Sequence, residues 1–98
     1  MTESTQITLA ATPTGPVGPD NFAEQRTELG ALSDGQFLVA VRYLSIDPTI
    51  RGWMQHDTYL PKIAEGEVIR SLGAGEVIES ENEKYPVGTR VTGMTGWQ

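Results

Sequence analysis

Asp47 and Arg51 stand four residues apart in the stretch YLSIDPTIRGWM, which covers residues 43–54. A carboxylate and a guanidinium at that spacing can face each other across one helical turn. Asp47 suits the position before a helix, where its carboxylate can accept an amide proton two or three residues on. Pro48 suits the first helical position, where an N–H would have no partner, and Gly52 can end the turn. Two readings stay open. Structurally, a rigid capped turn leaving a strand accounts for Asp47, Pro48 and Gly52. Functionally, the same turn fixes Thr49 and Arg51 at the mouth of a cleft.

The other chemistry-bearing groups form no catalytic set. His56 beside Asp57 offers a base and a carboxylate, but no nucleophile accompanies them and neighbouring loop residues are poorly placed to cooperate; an exposed loop histidine is expected. Gly73-Ala74-Gly75-Glu76-Val77-Ile78 begins like a dinucleotide fingerprint. Position 78, however, is Ile where the pattern needs Gly, and the segment leads into a strand, whereas a phosphate needs a helix N-terminus. The glycines fit a bend or bulge where two strands meet. There is no cysteine, one histidine and no Asp-x-Asp-x-Asp spacing, so no metal centre is expected. Catalysis by this chain alone is not expected.

These residues must be positioned by strands. Gln6–Ala11 reads as a short strand with Ile7 and Leu9 on one face. Pro13, Pro16 and Pro19 then punctuate an extended surface connection. Polyproline recognition is the other use of such spacing, but no basic residue flanks it. Asn21–Leu32 is mixed, with Phe22 and Leu29 as candidate anchors and Gly30 as a break. Gln36–Ile46 is the strongest strand pattern, apolar on both faces, which predicts a central strand covered on both sides. GEVIRSL and AGEVIES, hinged at Gly73, predict two further strands. Pro86-Val87-Gly88 predicts a turn before a last strand, Thr89–Met94. Trp97 is either core or an aromatic facing a partner. Short, evenly spaced strands, many glycines and no long helix predict a small, mainly β, barrel-like domain.

Ninety-eight residues with a formal charge of −6 make one domain, able to bury roughly two-thirds of its unfolded surface. An acidic chain carries no electrostatic footprint for nucleic acid, and an oligonucleotide-binding barrel is set aside on that ground. The N-terminus lacks a basic region followed by an apolar stretch, no apolar run approaches a membrane span, and a soluble, cytoplasmic chain is expected.

PTGPVGPDNF, YLSIDPTIRGWM, GEVIRSLGAGEVIES and VGTRVTGMTGWQ, in this order, resemble the N-terminal part of zinc-independent medium-chain dehydrogenase/reductases. The branch is the one holding leukotriene B4 12-hydroxydehydrogenase, prostaglandin reductases, curcumin reductase and plant double-bond reductases. The resemblance implies a GroES-like, partly open β-barrel over residues 1–98, serving as a substrate-side domain. It implies that a Rossmann domain of the full-length chain binds NADPH, and that hydride goes to the β-carbon of an α,β-unsaturated ketone or aldehyde. By matching position, Asp47, Pro48 and Arg51 belong to the family's Asp-Pro-x-x-Arg turn lining the cleft. Thr49 stands where many members carry Tyr, and Tyr59 can supply an aromatic nearby. No metal is implied. A homodimer is compatible with an apolar face left uncovered. The alternative is a free-standing GroES-like module that binds a protein partner.

Overall fold

The computed structural model describes residues 2–98 and is mainly β. β1 covers Thr2–Leu9, β2 Phe22–Leu29, β3 Phe37–Leu44, β4 Gly73–Ser80 and β5 Arg90–Gly93; α1 covers Pro48–Gln55, and a 3-10 turn lies at Pro19–Asn21. The strands form two antiparallel sheets, β1-β2 and β3-β4-β5.

β2 occupies part of the segment whose pattern is mixed. Its register runs from Thr2 opposite Leu29 to Leu9 opposite Phe22. Glu24, Gln25, Arg26, Thr27 and Glu28 are all exposed. A strand with a solvated outer run can carry charges on both faces, and this hides its period from the sequence. Phe22 and Leu29, the two anchors, are half-buried at its ends.

β3 forms where the strongest pattern lies, but it is an edge strand of its sheet and β4 is the central one. The expectation of cover on both sides is therefore corrected. Phe37–Val41 are half-buried, whereas Tyr43 and Leu44 are 76% and 43% exposed. Val77 on β4 is fully buried. The expected bulges are present. Val41 pairs with Gly75 and Tyr43 with Ala74, which leaves Arg42 as the extra residue; a second shift leaves Ile78 extra between Leu38–Glu79 and Val39–Val77. Gly75 is required at the first of these, because a Cβ there would run into the carbonyl oxygen of Ala40. The Pro86-Val87-Gly88 turn also forms, with Gly88 at φ 95° and its N–H donating to the Val77 carbonyl at 2.8 Å.

GEVIRSL is not a regular strand. Its single β-bridge joins Val68 to Thr8, because the segment changes partner midway. Leu9 N–H donates to the Glu67 carbonyl at 2.9 Å and Ile69 N–H to Ile7 at 3.0 Å. Beyond that, Trp97 N–H donates to Ile69 at 2.9 Å and Gly96 N–H to Ser71 at 3.0 Å. The connector thus ties β1 to the C-terminal segment. The core lies here: Leu9, Ile50, Trp53, Met54, Ile63 and Ile69 form one buried cluster, with Ile7, Phe22, Leu60 and Trp97 packed against it. Trp97 is core, its ring centroid 5.7 Å from that of Phe22, with Nε1 donating to the Ser45 carbonyl at 3.2 Å.

Candidate functional site

α1 begins where Asp47 and Pro48 predict. Asp47 has the extended backbone of a cap (φ −120°, ψ 145°), but its side chain makes no capping bond to the helix. Instead Ser45 Oγ donates to the Asp47 carboxylate, and the first turn closes through Ile50 N–H to the Asp47 carbonyl at 3.0 Å.

The helix does not stop at Gly52; it runs to Gln55. Ile50, Trp53 and Met54 are 3%, 7% and 2% exposed. Burying each such side chain contributes roughly 1.5–3 kcal/mol, which outweighs the ~1 kcal/mol that glycine costs inside a helix. Tertiary packing therefore carries the helix one turn past its local stop signal.

The Asp47–Arg51 pair does not form. Arg51 Nη1 donates to Gln55 Oε1 at 3.1 Å and Nη2 to the Gly15 carbonyl. Gln55 Nε2 donates in turn to the Pro13 carbonyl at 2.8 Å. Two side chains one turn apart on α1 thus hold the proline-rich connection against the helix, with Pro13 buried beneath. Arg51 is turned toward this loop, away from Asp47.

The remaining site residues divide into two groups. Asp47, Pro48 and Thr49 are exposed on the entry turn. Tyr59 is 79% exposed yet anchored: its ring meets Trp53 edge-on, centroids 6.4 Å apart at 80°. Thr49 precedes Trp53 by one helical turn and so lies on the same side of α1. Arg70 completes the arrangement, with Cζ 5.7 Å from the Trp53 ring centroid, a cation–π distance. Its Nη2 donates to the Pro61 carbonyl at 2.7 Å. Asp57 Oδ1 accepts from Lys62 N–H at 2.8 Å, and Thr58 N–H donates to the Leu60 carbonyl at 2.9 Å. The loop presenting Tyr59 is therefore pinned at several points.

Trp53 and Arg70 escaped the reading of the sequence. Trp53 stood within the stretch singled out, and its size beside a one-turn helix was the available signal. Arg70, in an apolar run, carried none. Both hold a buried N–H without an acceptor among the described residues, Trp53 Nε1 and Arg70 Nη1.

The Gly73-Ala74-Gly75 stretch forms no dinucleotide cradle. Gly73, Ala74 and Gly75 are committed to the β3-β4-β5 ladder, and the Cβ-free space at Gly75 is filled by Ala40. His56 is an exposed residue at the end of α1, as expected. Among the described residues no three His, Asp or Glu side chains converge to hold a metal ion, and no helix is long and apolar enough to cross a membrane.

Residues 5–98 match the family described as the N-terminal domain of oxidoreductase. NADPH-dependent curcumin reductase of Escherichia coli strain K12 is 35% identical over 91 residues, covering 92% of this chain and 26% of that protein. Prostaglandin reductase 1 of Rattus norvegicus is 34% identical over 77 residues, covering 79% and 22%. The NADP(+)-dependent 2-alkenal reductase of Nicotiana tabacum is 40% identical over 58 residues, covering 57% and 17%. Among solved structures, CurA from Vibrio vulnificus superposes with a TM-score of 0.91 at 32% identity, over 97% of this chain and 28% of that one. The chain spans about a quarter of the length of the first two relatives.

Proposed function

Because the chain belongs to the family of N-terminal oxidoreductase domains, in the medium-chain dehydrogenase/reductase branch of the curcumin and prostaglandin reductases, we propose that it is the substrate-side domain of an NADPH-dependent reductase. The substrate class in this reading is an α,β-unsaturated ketone or aldehyde, and the bond reduced is its carbon–carbon double bond. The name of the tobacco relative, a 2-alkenal reductase, supports that class. NADPH supplies the hydride and is held by a Rossmann domain of the full-length chain, since Gly73 and Gly75 serve the sheet here.

The observation that carries the reading is the anchored, exposed Tyr59. An aromatic ring 79% exposed but fixed edge-on to a buried Trp offers a pre-oriented face on which a flat, conjugated group can stack. Tyr59 and Thr49 form one wall of the substrate cleft, with Asp47 and Pro48 at its rim. Arg51 acts through the loop it holds. The domain contributes by orienting the substrate and excluding water, and no group of its own forms or breaks a bond.

The test is direct. Full-length protein incubated with NADPH and a panel of enones and enals is expected to oxidise the nucleotide only when a conjugated acceptor is present. NADPH binding without turnover on any conjugated acceptor would overturn the substrate class.

A second reading rests on a separate observation. Tyr43, Leu72 and Met94 are 76%, 55% and 53% exposed and gather where β3, β4 and β5 meet their flanking loops. An apolar row of this kind favours self-association, as a homodimer, or a protein partner. A free-standing GroES-like interaction module would use this row and would show no turnover with any nucleotide.

A further inference from the structure

Tyr59 is carried by the loop 57–62, and the bonds inside that loop fix its shape without fixing its place. Asp57 Oδ1 accepts from Lys62 N–H at 2.8 Å. Thr58 N–H donates to the Leu60 carbonyl at 2.9 Å, and Leu60 N–H donates to Thr58 Oγ1 at 3.3 Å. All of these close the loop on itself. Among the described residues, one hydrogen bond joins 57–62 to the rest of the chain: Arg70 Nη2 donates to the Pro61 carbonyl at 2.7 Å. Leu60 packs against the core and holds the loop down, but apolar contact is non-directional. The bond from Arg70, made two residues after Tyr59, supplies the direction.

The same guanidinium meets the ring that Tyr59 meets. Arg70 Cζ lies 5.7 Å from the Trp53 ring centroid, and the Tyr59 ring stands at 80° to that indole with centroids 6.4 Å apart. Arg70 thus touches both of the things that orient Tyr59, the indole beside its ring and the backbone that carries it. Stability alone does not account for an arginine at this half-buried position. Its Nη1 is buried with no acceptor among the described residues, a cost that an apolar side chain of similar length avoids. A rigid, planar fork of donors fixes an angle between two partners, which a flexible apolar chain does not.

We propose that Arg70 is a positioning residue. By holding the Pro61 carbonyl and the Trp53 indole in one arrangement, it sets the angle at which Tyr59 presents its ring to a flat, conjugated substrate. This rests on the reading of Tyr59 as a wall of the substrate cleft. Loss of Arg70 leaves that aromatic wall present but unaligned, so stacking of a planar acceptor suffers while the fold stays intact.

Two substitutions test this. Arg70→Met keeps an apolar stem and removes the fork. Arg70→Lys keeps the charge, but a single ammonium cannot span both partners; it carries the test if Arg70→Met does not fold. The first readout needs no turnover. Nuclear Overhauser contacts between the Tyr59 and Trp53 rings are expected to disappear in either variant, while Tm stays at or above that of the parent in Arg70→Met. The second readout uses full-length protein with NADPH. Arg70→Met is expected to raise KM for benzylideneacetone about three- to tenfold, the size of one aromatic contact, with kcat within about twofold. KM for methyl vinyl ketone, which has no ring to stack, should change by less than about twofold. Ring contacts that persist in the variants overturn the proposal, whatever the turnover. An equal rise in KM for both ketones, or a fall in Tm that accompanies the loss of contacts, overturns it as well, because a general loosening of the fold then explains the effect. Lost ring contacts at an unchanged Tm, in a protein that reduces no enone, uphold the positioning of Tyr59 and remove the substrate class instead.

Discussion

Arg51 donates to the carbonyl oxygen of Gly15, 36 residues earlier in the chain, and Gln55, one turn on, donates to Pro13. A helix of eight residues thereby fixes the path of a proline-rich loop that has no ladder of its own. The expected partner of Arg51 was Asp47, but a planar fork of donors gains more from two carbonyl-type acceptors in fixed positions than from one solvated carboxylate.

Arg51→Ala therefore frees the 13–18 loop more than it weakens the fold. A loss of about 1 kcal/mol or less is expected in urea unfolding, given the exposure of the side chain. The backbone amides of Thr14, Gly15, Val17 and Gly18 should become mobile on the NMR timescale. In a full-length reductase the same change is expected to impair enone reduction while NADPH binding survives. Unchanged turnover would remove Arg51 from the site, and Arg51→Lys should recover little, because an ammonium cannot span both acceptors.

Gly75→Ala and Gly93→Ala make a matched pair in adjacent strands. A Cβ at Gly75 collides with the backbone of Ala40, and one at Gly93 meets nothing within 4 Å. A backbone clash cannot be relieved by a rotamer change, so Gly75→Ala should cost roughly 1–3 kcal/mol. Gly93→Ala should lie within about 0.5 kcal/mol of the parent. Chemical denaturation of both variants checks the difference, and equal midpoints would contradict the bulge geometry.

Ile69→Ala removes a fully buried side chain from the point where β1, the connector and Trp97 meet. The expected cost is roughly 2–5 kcal/mol, a large share of what a domain of this size holds. A clear fall in Tm, with Trp fluorescence shifting to longer wavelength as the core opens, is the readout.

Trp53→Phe should cost less than its size suggests. It gives up buried area and one edge-on contact, but it also removes an indole N–H that has no acceptor among the described residues, worth roughly 1–3 kcal/mol when left unsatisfied. A net change of about 1 kcal/mol or less is expected in stability. Tyr59 should still lose its fixed orientation, which in full-length enzyme appears as a raised KM for the enone with kcat less affected.

The parts of this architecture set by local chemistry were legible in the sequence. The bulge at Gly75, the turn ending in Gly88 and the start of α1 at Asp47-Pro48 follow from residue types that demand particular backbone geometry. What depended on tertiary partners was not. β2 carries Glu24, Arg26 and Glu28 because solvent covers it, so its alternation is erased. β3 reads as central because both its faces are apolar, yet it lies at an edge beside a groove. GEVIRSL has the composition of a strand and splits its bonds between two neighbours. Of the candidate residues, Thr49 followed from the chemistry of the turn and Tyr59 from the resemblance, while Trp53, which Tyr59 meets edge-on, and Arg70, which packs on it, carried no signal that set them apart.

The exposed row of Tyr43, Leu72 and Met94 bears on how the isolated domain behaves as a colloid. At a formal charge of −6, copies repel one another over about a Debye length, ~30 Å in 0.01 M salt and ~8 Å at physiological ionic strength. Dilute buffer therefore keeps these apolar surfaces apart, and added salt shortens the reach of the repulsion until they touch. Light scattering that rises with salt while circular dichroism stays constant would be the signature of an intact fold sticking through one face.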